Sequence, residues 1–116
     1  IEWLKVRHQF GVPIGSFQAL QHRAARLLVR LELARATVRS ALQAPLHERP
    51  GMASICKALS NQAYSSVTAE CVQMHGGIGV TDECDIGLFL KRARAASFDL
   101  GTEAWHRQRW ATLHGY

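Results

Sequence analysis

Apolar residues recur at helical spacing along two long stretches of the chain. The first stripe consists of Phe17, Leu20, Ala24, Leu27, Leu28, Leu31, Ala34, Val38 and Leu42. The second consists of Met52, Ile55, Cys56, Leu59, Ala63, Val67, Cys71 and Met74. Steps of three, four and one predict a long amphipathic helix in each stretch, the first about seven turns long.

Turn-forming residues mark where these helices begin and end. Gly11, Pro13 and Gly15 predict a break after a helix that occupies the first ten residues. Ser16 is expected to cap the first long helix. The loop 45–51 contains two prolines and a glycine, and a short connection of this kind favours an antiparallel pair of helices.

The faces outside the two stripes differ from each other. The first long helix carries a second, weaker apolar patch of Ala25, Val29, Leu33 and Ala36. A helix that is apolar on more than one side is usually buried between neighbours or at a subunit interface. The second long helix carries uncharged polar residues away from its stripe, which we expect to face another chain or a ligand: Ser60, Asn61, Gln62, Ser65, Ser66 and Thr68.

The remainder of the chain is also predicted to be helical. Residues 86–98 form a third helix, residues 99–102 break it, and Thr102 is expected to cap a short last helix. No stretch alternates like a strand. The predicted fold is therefore all-α: one domain over residues 1–116, an antiparallel (up-down) bundle of about four long helices plus a short C-terminal helix.

Composition narrows the class of protein. The chain has 116 residues, of which 47% are hydrophobic and 20% charged, as in an ordinary globular domain. No apolar run is long enough to span a membrane. Three widely spaced cysteines fit a reducing compartment. Because the first residues read as an uncapped helix interior, we expect the chain to be a piece of a longer protein.

The charge balance does not by itself define a partner. The net charge is +5, but there is no run of four basic residues and no interleaving of basic and aromatic residues, so nucleic-acid binding is not predicted. Glu103 and His106 have the E-x-x-H spacing of di-iron bundles, but those sites need a second such motif and two further glutamates. No metal site is predicted.

Glycines crowd the segment between the second and third predicted helices. Gly76, Gly77 and Gly79 lie within four positions, and Thr81 and Asp85 that follow are both suitable N-cap residues. Bare backbone N–H groups in such a loop can hold an anion. The alternative, a glycine-rich helix C-cap followed by a turn, also fits this spacing.

Arg7 is the second candidate for anion binding. It stands one turn before the predicted helix ends on Phe10-Gly11, and an arginine fork suits a pyrophosphate. The alternative is a solvated arginine favoured by the dipole at a helix C-terminus.

Taken together, these motifs resemble the C-terminal helical domain of the acyl-CoA dehydrogenase family. The matching segments are R-H-Q-F-G at 7–11, P-I-G-S-F-Q-A-L-Q-H at 13–22, Q-M-H-G-G-I-G at 73–79 with Thr81, Glu83 and Asp85, and L-K-R-A at 90–93. They cover essentially the whole chain. The histidine before Gly-Gly looks like a bacterial member.

The resemblance implies a flavoenzyme. Such enzymes use FAD to oxidise an acyl-CoA thioester to the 2-enoyl-CoA and pass the electrons to an electron-transfer flavoprotein. Their subunits also contain an N-terminal helical domain and a middle β domain, and they assemble as a dimer of dimers. The resemblance further implies a cytoplasmic protein that contacts FAD through Arg7, Gln9, Phe10, Gln73, Gly76, Gly77 and Thr102.

The chain departs from the family at the catalytic base. Many members place a glutamate immediately before Gly-Thr, and here that position is Leu100. Three alternatives follow: the base lies upstream of Ile1, the subunit is a non-catalytic partner in a hetero-oligomer, or Asp99 has taken the role. Ala104 also occupies a position where the family often has a glutamine that contacts FAD.

Two classes of function therefore stand open. In the first class, the chain is part of a flavoenzyme, either an acyl-CoA dehydrogenase or a related flavin monooxygenase. In the second class, it is a helical module used only for assembly. The oligomer can be a homo- or a hetero-oligomer. In either class the isolated chain is expected to be inactive, because it lacks residues that would hold the reacting end of the flavin.

Overall fold

The computed structural model describes residues 1–116, and most of them are helical. The elements in chain order are α1 (Glu2–Val6), β1 (His8–Gln9), β2 (Val12–Pro13), α2 (Gln18–Gln43), α3 (Arg49–His75), α4 (Ile86–Ala96) and α5 (Glu103–Leu113). The central helix is α3, which packs against α2, α4 and α5. An ion pair of 2.6 Å joins Arg23 near the start of α2 to Glu70 near the end of α3, so this pair is antiparallel. The all-α bundle is confirmed, with α2 and α3 as its two long members.

The first ten residues do not form one helix as predicted. The helix α1 ends at Val6, and Arg7 is extended, with φ −75° and ψ 123°. Antiparallel β1 and β2 then pair His8 with Pro13 and Gln9 with Val12. Phe10 and Gly11 link them with φ values of 56° and 80°, as a two-residue hairpin turn requires. The sequence pattern could not reveal this hairpin, because a strand of two residues is too short to show alternating apolar and polar residues.

Two predicted helix starts are also displaced. Ser16 lies in a short 3-10 turn, where its hydroxyl donates to the carbonyl of Pro13 at 2.7 Å, and it does not cap α2. The helix α3 begins at Arg49, three residues before the predicted start. Pro50 fits this first turn because the backbone N–H that proline lacks would have no partner there.

The uncharged polar face of α3 is partly buried within the chain. Thr68 and Asn61 are 5% and 7% exposed, so the expectation that this face is free for a partner is wrong for these two residues. The Asn61 amide donates to the carbonyl of Ser97 at 3.4 Å, and the Lys57 ammonium donates to that of Ala96 at 2.9 Å. The last carbonyls of a helix have no partner inside it. Lys57 and Asn61 therefore fasten the C-terminus of α4 to the middle of α3.

The buried core is small for the length of the chain. Its apolar members are Leu4, Ile14, Ala34, Ala44, Ala58, Ala63 and Ala93. The radius of gyration is 17.2 Å, whereas a compact domain of this length would have about 13 Å. Leu28, Val29 and Leu33 on α2 are each more than half exposed. The apolar faces predicted on α2 are thus only partly covered by this chain itself.

We expect Asn61→Ala to lower the free energy of unfolding by about 1–2 kcal/mol, because the half-buried carbonyl of Ser97 loses its donor and the Lys57 ammonium loses one of its two acceptors. Gln62→Ala is the matched control, since Gln62 is the next residue on α3 and is exposed. Urea denaturation followed by circular dichroism measures both. Equal stability of the two variants would contradict the fastening role of Asn61.

Candidate functional site

A cleft of about 520 Å³ lies between the start of the chain and the end of α3. Arg7 and Gln9 line one side, and Gln73, Gly76 and Gly77 line the other. The structure therefore brings together five of the seven residues predicted to contact a cofactor, although they come from regions more than sixty residues apart. The residues on both sides of the cleft are exposed, so a ligand can reach them.

Arg7 faces this cleft without an acidic partner, as the ion pairs of the chain involve other residues. Its carbonyl accepts from the backbone N–H of Ile14 at 2.8 Å, so its main chain is held in place. An arginine that is anchored by its backbone and free at its guanidinium is suited to a ligand that carries phosphate.

The glycine segment forms the helix C-cap and turn that its spacing allowed. Gly76 ends α3 with φ 68°, a value that favours glycine, and residues 76–80 continue as a 3-10 turn. A Cβ atom placed at Gly76 or Gly77 would meet nothing within 4 Å, so their backbone is open to the cleft. The segment is therefore a helix C-cap whose main chain also lines the cleft, and anion binding by this segment stays a prediction.

Gly79 has a different role from its neighbours. It is buried, and a Cβ atom there would lie 2.6 Å from the carbonyl oxygen of Val72. Its close approach folds the turn back onto α3. Asp85 takes the predicted N-cap position of α4, although its side chain makes no capping bond. Thr81 does not cap α4, because its hydroxyl donates to the carbonyl of Ile78.

Two predicted cofactor residues lie outside the cleft. Phe10 stands at the tip of the hairpin, 90% exposed, with its ring edge-on to Phe17 at 6.1 Å. Thr102 lines a second cleft of about 250 Å³ between α3, α4 and α5, together with Ser65 and Arg94. Thr102 also caps α5 as predicted, since its hydroxyl accepts from the N–H of Trp105 at 3.3 Å.

Leu100 occupies a constrained turn beside this second cleft. It has φ 58°, unusual for a branched side chain, and its side chain is 90% exposed. The buried His106 ring donates through Nε2 to the carbonyl of Leu100 at 2.9 Å, because a carbonyl can only accept. Leu100 has no group that could accept a proton, and the adjacent Asp99 is exposed.

The E-x-x-H pair makes contacts other than metal ligation. Glu103 forms an ion pair with Arg107 at 2.8 Å, and His106 is used by the turn at Leu100. No three His, Cys, Asp or Glu side chains converge as metal ligands would. All three cysteines are free thiols, and burial raises the pKa of Cys71 above the usual thiol value. None of the helices has the length and hydropathy needed to cross a membrane.

Trp3 and His75 also line the first cleft, and sequence reasoning did not single them out. The signal for Trp3 was its spacing: it precedes Arg7 by four residues, one helical turn, so a helix over the first ten residues would have placed both side chains on one face. His75 stood inside the glycine motif but was used there only as the histidine before Gly-Gly that resembles a bacterial member.

Residues 1–112 match the family described as "Acyl-CoA dehydrogenase, C-terminal domain". The chain therefore belongs to the acyl-CoA dehydrogenase family. The matched residues include both clefts and the turn at Leu100.

Individual relatives show the same similarity. The chain is 45% identical over 101 residues to acyl-CoA dehydrogenase IpdE2 of Mycolicibacterium smegmatis, covering 87% of this chain and 32% of that protein. It is 32% identical to the mitochondrial short/branched chain specific acyl-CoA dehydrogenase of Rattus norvegicus, covering 88% of this chain and 24% of that protein. The chain thus spans about a third or less of the length of these relatives.

Among solved structures, butyryl-CoA dehydrogenase from Megasphaera elsdenii superposes with a TM-score of 0.91 at 26% identity. The match covers 99% of this chain and 30% of that one. The fold of this chain is therefore that of a C-terminal portion of an acyl-CoA dehydrogenase.

We expect Gly79→Ala to lower the free energy of unfolding by about 1–3 kcal/mol, because the new methyl group would collide with the Val72 carbonyl and the backbone must move. Gly77→Ala is the matched control, since space is open there. Thermal unfolding followed by circular dichroism compares them. A Gly77→Ala variant as unstable as Gly79→Ala would show that the collision is not the cause.

Proposed function

We propose that this chain is the C-terminal, FAD-contacting and oligomerisation domain of a flavin-dependent acyl-CoA dehydrogenase subunit, which also contains an N-terminal helical domain and a middle β domain. The observation that carries the proposal is the first cleft, where Arg7, Gln9, Gln73, Gly76 and Gly77 converge. These residue types suit the diphosphate of FAD: a cation with a fork of donors, two amides and an open backbone.

The residues of the cleft have separate tasks in this proposal. The Arg7 guanidinium balances the negative charge of the diphosphate. Gln9 and Gln73 supply amide donors and acceptors, and the backbone at Gly76 and Gly77 allows close approach. When bound, FAD would accept the hydride removed from the acyl chain. Phe10 is proposed to cover the cofactor from the hairpin tip, since its ring is otherwise exposed.

The two clefts are proposed to contact two different FAD molecules in the assembly. The cleft at Arg7 would take the diphosphate of the neighbouring subunit's cofactor, and Thr102 would lie near the flavin of its own. Gln73 and Asn61, which line the two clefts, are twelve residues apart on α3, or about 18 Å along the helix axis. Cofactor binding and assembly would then depend on each other.

Assembly as a dimer of dimers is supported by the apolar surface of the chain. A groove of about 350 Å³ between α1, α2 and α3 is lined almost entirely by apolar residues. Leu28, which lines this groove, and Leu33 and Leu42 on the same helix are each more than half exposed. Exposed apolar surface of this kind marks interaction sites. We propose that these surfaces are covered in the complete oligomer.

The wider function follows from the same proposal. The subunit would bind an acyl-CoA thioester, form the 2-enoyl-CoA and transfer electrons to an electron-transfer flavoprotein in the cytoplasm. The related flavin monooxygenases share the scaffold, but no feature of either cleft favours their reaction.

Leu100 favours a second candidate function, that of a non-catalytic partner in a hetero-oligomer. A general base must be a proton acceptor within hydrogen-bond reach of the substrate. Leu100 cannot be one, and the turn that carries it is fixed by His106. The base is then supplied by a residue upstream of Ile1 or by Asp99, or the active site belongs to the partner.

We expect Arg7→Ala to weaken ADP binding by about 10- to 100-fold, because a charge-assisted hydrogen bond to phosphate is lost. The ADP affinity of Arg7→Lys should fall between those of the unmodified chain and Arg7→Ala, since lysine keeps the charge but lacks the fork of donors. Isothermal titration with ADP, the half of FAD that carries the diphosphate, measures the change. Arg26→Ala is the matched control, because Arg26 is an exposed arginine outside the cleft. Failure of the chain to bind ADP, or equal losses for Arg7 and Arg26, would contradict the site.

In the complete subunit, Asp99→Asn should change the rate of flavin reduction by acyl-CoA by less than about threefold, whereas loss of a general base costs about 100-fold or more. Stopped-flow absorbance of the flavin measures this rate, and Leu100→Ala is the control for disturbance of the turn. A loss of 100-fold confined to Asp99→Asn would make Asp99 the base. No reduction by the unmodified subunit would support the non-catalytic candidate.

A further inference from the structure

We propose that Trp3 is the positioning residue of the first cleft: it joins α1 to the end of α3 and holds the Arg7 side chain over the glycine turn. This inference rests on the proposed function, because it takes Arg7 as the group that meets the diphosphate. Trp3 would act through Arg7 and not through a contact of its own with the ligand.

The indole of Trp3 is fixed to the end of α3 by two contacts. Its Nε1–H donates to the carbonyl of Met74 at 3.1 Å. Its ring lies on the imidazole of His75, with the ring centres 4.6 Å apart and the planes 16° from parallel. The carbonyl of Met74 is among the last of α3 and lacks a partner within the helix. Trp3 therefore satisfies a helix end at the point where the glycine turn begins.

The imidazole beneath Trp3 is itself held in place. Nδ1 of His75 lies 2.6 Å from the carbonyl of Cys71, one turn earlier on α3. Because a carbonyl can only accept, Nδ1 carries the proton, and the ring cannot turn without losing this bond. The Trp3 ring therefore stacks on a side chain of fixed orientation, which lies on the side of the cleft formed by the end of α3.

Arg7 lies above the same indole. Its guanidinium carbon is 5.9 Å from the centre of the Trp3 ring, within the range of a cation–π contact. No carboxylate competes for the guanidinium, and the Arg7 backbone is fixed by the hairpin. No other aromatic ring lies against this side chain. Trp3 therefore limits the orientations of Arg7, and a donor that is already oriented loses less freedom when it binds.

The chain contains a matched control for this arrangement. Trp105 also has an arginine over its ring, with the guanidinium carbon of Arg109 at 5.8 Å, but this pair lies on α5, outside the first cleft. Replacing Trp105 removes the same chemical contact at a place where the proposal expects no effect on binding.

The test is a double-mutant cycle on the chain, with ADP as the probe and isothermal titration as the measurement. Trp3→Leu should weaken ADP binding about tenfold, and Trp3→Phe, which keeps a ring, should recover part of that loss. In an Arg7→Ala background, Trp3→Leu should cause no further loss beyond about twofold, because its effect passes through Arg7. Trp105→Leu should bind ADP like the unmodified chain.

The outcomes separate this inference from the proposed function. If ADP binds and depends on Arg7, but Trp3→Leu binds normally or its loss simply adds to that of Arg7→Ala, the positioning role is overturned while the proposed site stands. If the unmodified chain does not bind ADP, the proposed site fails and this inference fails with it. Far-UV circular dichroism establishes that each variant is folded, and Trp3→Phe decides the question if Trp3→Leu unfolds.

Discussion

The contact of Gly79 with the carbonyl of Val72 is the constraint on which the candidate site depends. It folds the chain back on α3 directly after the helix ends, so that Gly76 and Gly77 are left on the outside of the turn. Only a residue without a Cβ atom can approach a main-chain carbonyl this closely. The exposed backbone at Gly76 and Gly77 is thus a consequence of a buried glycine two to three residues further along the chain.

The helix α3 carries the two clefts on different parts of its length, and near each cleft a side chain pairs with carbonyls at a helix end. In its middle, Lys57 and Asn61 hold the last carbonyls of α4. At its C-terminus, its own Met74 carbonyl is held by Trp3. Each contact satisfies helix-end carbonyls, which are costly to leave unpaired. The same bonds therefore stabilise the bundle and set the geometry of the clefts.

The turn at Leu100 and the hairpin tip at Phe10 share an uncommon combination of properties. These are the two residues other than glycine with positive φ, and both expose 90% of a large apolar side chain. Such a backbone conformation costs about 1–3 kcal/mol and persists where the surroundings impose it. The hairpin imposes it on Phe10, and the His106 bond imposes it on Leu100. Both positions lie in segments through which the family resemblance implies cofactor or substrate contact.

The sequence alone determined the all-α class, the two long helices, the glycine C-cap and the family, because these depend on local periodicity and on motifs read within one segment. Through resemblance it also predicted seven residues that contact a cofactor, and five of these line one cleft. Only the tertiary structure decided that Arg7 and Gln9 meet Gln73 and Gly76, that Asn61 is buried, and that Trp3 joins the two walls. Contacts between residues sixty or more positions apart leave no local pattern, and a two-residue strand or a hydrogen bond to a distant carbonyl has no periodicity to read.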